Sequence, residues 1–167
     1  MDYQASADEI TRAKKLHAIL LFDFIVIHIF VFIVALGMIK QSYIPLLLVP
    51  AISVVLLSLV ITQGSRGGKD PSWFVRCHSL LAAKRAKHFL ALYIVTGLFT
   101  LAMWKLGPAM GMTTIASLSL AFGLGQLPFM IGLLFLVVVE YDAEHQCKLG
   151  KVPKAGQSLQ PALEGQV

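Results

Sequence analysis

The chain has 167 residues, of which 57% are hydrophobic and 14% charged, against about 45–50% and about 25% in ordinary soluble domains. With roughly 20 apolar residues needed for each crossing of a bilayer, this composition leaves room for four crossings and little for a separate soluble domain. The basic excess, 14 Lys and Arg against 9 Asp and Glu, comes without a readout motif for nucleic acid and is read as orientation charge that meets anionic headgroups.

Ser6-Ala7-Asp8-Glu9 fits a capping box, which predicts a helix starting near Ala7. After Arg12, Lys14 and Lys15 the run 16–39 is apolar except for His17, Asp23 and His28, and it reads as the first transmembrane helix. It is too long for a signal-peptide core and is expected to be retained. Asp23 lies about two turns inside it, where an acid costs roughly 2.5–3.5 kcal/mol and so needs a partner, a proton or water. Arg85 or His88 is the expected ion-pair partner, and Asp23, His28 and Gln126 are candidate residues of an ion path. On an α-helix His17 and His28 return to within about 20° of one direction, with Asp23 pointing elsewhere.

Lys40 to Tyr43 forms a turn, with Tyr43 suited to the headgroup level. The second helix is predicted over 44–62, with Pro45 at its start and a kink at Pro50. Residues 63–69 read as a flexible polar connection. Asp70 and Pro71 then signal a helix start, and the third helix is predicted over 71–104, basic in its first half and free of charge over 89–104. Trp73, Arg76, Lys84 and Lys87 are the expected contacts to headgroups or a partner. His17 and His88, both near the polar boundary, are the residues that would flank a haem or quinone.

The fourth helix is predicted over 113–139 and is long enough to tilt or break at Pro128, beside Gln126. Ser117, Ala121, Gly125 and Gly132 make a small-residue ridge suited to close helix packing, with Ser119 and Gly123 on a neighbouring line. Glu140, Asp142, Glu144 and His145 read as solvated charge, and 150–167 as a disordered cytoplasmic tail. Cys77 and Cys147 are lone thiols without C-x-x-C spacing.

Every Lys and Arg except Lys40 and Lys105 falls in the N-terminal arm, the middle connection with the third-helix start, or the tail. The positive-inside rule therefore puts both termini in the cytoplasm. The expected fold is all-α: a polytopic integral membrane protein with one four-helix transmembrane domain over 1–149. No nucleophile and base set, resident cofactor or metal-ligand spacing is visible, so an enzyme is disfavoured. The leading expectation is a small accessory or scaffold subunit, in a homo-oligomer or a larger membrane complex. The alternative is a small oligomeric ion or proton channel or transporter using Asp23 and the Gln126-Pro128 break. A third is a quinone- or haem-associated redox subunit. Short loops fit a bacterial inner membrane.

Overall fold

A computed structural model describes residues 3–38, 40–42 and 44–159. It is all-helical, with four helices long and apolar enough to cross a membrane: α1 (Ala7–Gly37), α2 (Ile44–Gly67), α3 (Trp73–Ala109) and α4 (Thr114–Lys148). A single turn, α5 (Lys154–Gln157), follows. These four helices fit a multi-pass membrane protein. The chain divides into two compact units, 1–87 with 137–167 and His88–Leu136.

Helix α1 begins with the expected box: Glu9 N–H donates to Ser6 Oγ at 3.3 Å, and Ser6 N–H to a Glu9 carboxylate oxygen at 2.7 Å. The middle of α1 departs from α geometry, since Phe22–Val31 is a π-helix of 10 residues. There the backbone bonds run from residue i to i+5, so residues five apart stack on one another. That changes the reading of this helix: His28 comes to sit over Asp23.

Helix α2 runs on to Gly67, five residues past its expected end, absorbing most of the segment read as a flexible connection. Thr62 and Ser65 hydroxyls donate back to the Ser58 and Ile61 carbonyls, which keeps this polar stretch helical. A Cβ placed on Gly64 would lie 2.7 Å from Ala83 Cβ and from the Ser79 carbonyl. A side chain there is incompatible with this approach to α3.

Helix α3 starts two residues later than expected, because Ser72 and not Asp70 caps it. Val75 N–H donates to Ser72 Oγ at 3.3 Å, while Asp70 Oδ1 accepts from Ser72 N–H at 2.9 Å. Its far end passes Pro108 and closes at Gly111, whose φ of 81° suits a left-handed cap. Helix α4 runs unbroken through Pro128 and continues nine residues beyond the expected end at Val139. Pro128 removes one backbone bond, and the turns on either side carry the helix past it. Ion and amide pairs one turn apart, Glu144 with Lys148 and Asp142 with Gln146, support the added polar turns.

Residues 150–159 are folded where a disordered tail was expected. Gly150 closes α4 at φ 69°, and its carbonyl accepts from Tyr3 N–H at 3.2 Å. Val152 is buried with Ala13, Trp73, Phe74, Val75, Cys77 and Cys147, with Tyr3 stacked on Phe74. Apolar side chains from both ends of the chain thus share one small core, which holds the segment down. The rest of the expected tail, 160–167, lies outside the described residues, as do Ile39 and Tyr43.

Within His88–Leu136 the ridge on α4 meets α3. Ser117 Oγ donates to the Met103 carbonyl at 2.6 Å. A Cβ on Gly125 would lie 2.5 Å from Thr100 Oγ1, and one on Gly132 2.5 Å from a Leu92 methyl. Phe89, Tyr93 and Phe129 pack with ring centroids 5.6–6.2 Å apart.

Candidate functional site

Two buried polar groups in the first unit both draw on α1. The first is a relay at the polar ends of the helices. His78 Nε2 lies 3.0 Å from the Lys151 carbonyl, which can only accept, so that nitrogen carries a proton. His78 Nδ1 is then the acceptor of a neutral ring and takes a bond from His17 Nε2–H at 3.0 Å. His17 Nδ1 lies 2.5 Å from Glu140 Oε1, and Arg85 Nη1 donates to Glu140 Oε2 at 2.8 Å. His17 thus bridges Glu140 and His78 through its two ring nitrogens. His17, His78 and Glu140 have no exposed surface.

The second group lies one and a half turns further along α1, inside its apolar run. Ser53 Oγ on α2 donates to Asp23 Oδ2 at 3.0 Å. His28 Nδ1–H donates to the Asp23 backbone carbonyl at 3.0 Å and lies 3.8 Å from Asp23 Oδ1. Asp23 is fully buried, and among the described residues its Oδ1 has no hydrogen-bond partner. An ordinary α-helix would have turned His28 away; the π-helical spacing makes this pair.

Several expected site residues are placed otherwise. Arg85 is engaged by Glu140 and His88 is exposed, so Asp23 takes its bond from Ser53 instead of either. An acid at this depth has found a neutral hydroxyl donor, which avoids bringing a strongly hydrated cation into the apolar run. Both ring nitrogens of His17 are occupied by Glu140 and His78, leaving neither to ligate iron. Trp73 is 2% exposed within the small core, and Arg76 donates to the Asp70 and Pro71 carbonyls at 2.9 Å. Of the four expected headgroup contacts, Lys84 and Lys87 stand exposed. Gln126 is half-buried on the unbroken stretch of α4.

Ser53, His78 and Glu140 were not among the expected site residues. His78 and Arg85 are seven apart and share a direction on α3, which is a visible signal for a common partner. Glu140 was hidden because an acid just past an apolar run ordinarily ends in water. Among the described residues no group of three His, Cys, Asp or Glu is placed to hold a metal ion. Comparison with protein-family models, with curated proteins and with solved structures finds no match to this chain.

Proposed function

We propose that this chain is a multi-pass membrane protein, with both termini cytoplasmic, whose first helix carries protons through a site at Asp23. The observation that supports this is Asp23 Oδ1, a fully buried carboxyl oxygen inside an apolar run that has no hydrogen-bond partner among the described residues. Ionisable groups within membrane-spanning segments are costly and by default point to an ion or proton route. His17 and His28 lie eleven residues apart on α1 with Asp23 between them, at most about 16 Å because the π-helical part rises less per residue, and so no more than roughly half the hydrocarbon thickness.

A proton fits this site better than a metal cation. A dehydrated cation such as Ca2+ takes six or more oxygen ligands, whereas Asp23 has the Ser53 hydroxyl and one imidazole nearby. The His17–Glu140 pair stands at the cytoplasmic end of this route, and since both side chains are buried, bridging water has to join it to the aqueous side. Bridging waters are also needed between it and Asp23, because six helical residues span about 9 Å.

The ridge itself lends the scaffold reading no support, since Ser117, Gly125 and Gly132 meet α3 of the same chain. It keeps one observation, the exposed Ser119 and Gly123 on the neighbouring line of α4. The test is proton flux into proteoliposomes loaded with a pH-sensitive dye under an imposed gradient. Asp23→Asn keeps the shape and an acceptor for Ser53 but cannot cycle a proton, so flux falls by about tenfold or more, equivalent to at least about 1.4 kcal/mol on the barrier. Equal flux from the two proteins refutes the proposal.

A further inference from the structure

A cavity of about 270 Å³ opens between the end of α2, the basic part of α3 and the folded segment after α4. Ser65, Leu80, Ala83, Lys84, Lys87 and Leu159 line it. Its floor and sides are apolar, with Ala83 buried and Leu80 and Leu159 half-buried. Lys84 and Lys87, three residues apart on one side of α3, stand exposed at its mouth. Among the described residues neither is paired with a carboxylate, unlike Arg12, Arg85 and Lys148. Lys87 lies two residues before the charge-free run 89–104, which puts the mouth at the boundary between water and hydrocarbon.

We infer that this cavity seats the headgroup of an anionic phospholipid of the cytoplasmic leaflet, its phosphate held by Lys84 and Lys87. Free phosphate would gain nothing from the Leu80 and Leu159 walls. A zwitterionic lipid would bring its ammonium group against two lysines. An anionic glycerophospholipid satisfies both features at this depth: charge at the mouth and glycerol and first methylenes against the apolar walls. Basic pockets between membrane helices on the cytoplasmic side bind such headgroups by the same means. The inference rests on the multi-pass reading and is independent of the proton site.

The test uses the full chain in mild detergent, titrated with phosphatidylglycerol or phosphatidylcholine of equal chain length and read by native mass spectrometry. Phosphatidylglycerol is expected to bind preferentially, and Lys84→Ala with Lys87→Ala together to reduce that binding by about thirtyfold. Ser65→Trp leaves both charges in place and fills the mouth, and it should weaken binding comparably. Lys15→Ala with Lys40→Ala, the same charge removed from exposed positions away from the cavity, should leave it unchanged. Equal binding of the two lipids overturns the inference, as does undiminished binding in either cavity variant or displacement of the lipid by millimolar inorganic phosphate. Resistance of the protein to alkaline extraction from membranes checks the multi-pass reading separately.

Discussion

Glu140 is held by two donors, His17 and Arg85, in a place without water. Removing one member of a buried charge cluster leaves the others uncompensated, which typically costs about 3–5 kcal/mol. Glu140→Ala should lower stability by that amount, read as a fall in the thermal midpoint in detergent. The paired change Glu140→Leu with Arg85→Met should recover much of the loss, because it removes the stranded guanidinium as well. Asp23 differs from Glu140 in having, among the described residues, a hydrogen bond to one carboxyl oxygen only, so its replacement by Asn should cost little stability while lowering flux. Its singularity is plain in the amino-acid order, since few acids interrupt an apolar run. Its partner is not, because Ser53 is one of several hydroxyl residues on α2 and nothing local singles it out.

The four long helices are legible from hydropathy, as are the starts of α1 at Ala7 and α2 at Ile44, whereas the C-terminal ends of α2 and α4 are not. Polar residues after an apolar run were read as loop, yet at 63–67 and 140–148 side-chain bonds to the preceding turn and close glycine contacts keep the chain helical. The π-helical stretch Phe22–Val31 is also invisible to periodicity, because the choice between bonding four or five residues back is settled by backbone packing. The small-residue ridge on α4 was legible as a packing face, though not whose helix it meets. Gly125→Leu or Gly132→Leu should overpack the α3 contact and cost about 1–3 kcal/mol, again read as a shift in thermal midpoint. Gly97, where an added Cβ meets nothing within 4 Å, is the control: Gly97→Leu should stay within about 0.5 kcal/mol of the parent. Gly150→Val should cost about 1–2 kcal/mol through its left-handed backbone, loosening the turn that presents the Lys151 carbonyl to His78.

Over the whole chain, large apolar side chains such as Phe30, Ile33, Val95, Leu98, Ile131 and Phe135 are more than half exposed, as helices bathed in lipid require. The basic residues gathered on the N-terminal arm, the α2–α3 connection and the end of α4 set the proposed orientation. With Cys77 and Cys147 buried, single cysteines report it against a low background. Gln41→Cys and Lys105→Cys should react with a membrane-impermeant maleimide in intact cells, and Arg66→Cys and Lys154→Cys only after permeabilisation. The reverse pattern would invert the orientation and place the His17–Glu140 relay on the outer side. The central claim is that Asp23 takes up and releases a proton within the membrane, and infrared difference spectroscopy of the reconstituted protein between two pH values tests it most directly. The expected result is a protonated-carboxyl band whose intensity changes with pH, absent in Asp23→Asn and retained in Glu140→Gln. A spectrum in which Asp23→Asn alters no pH-dependent carboxyl band would contradict it.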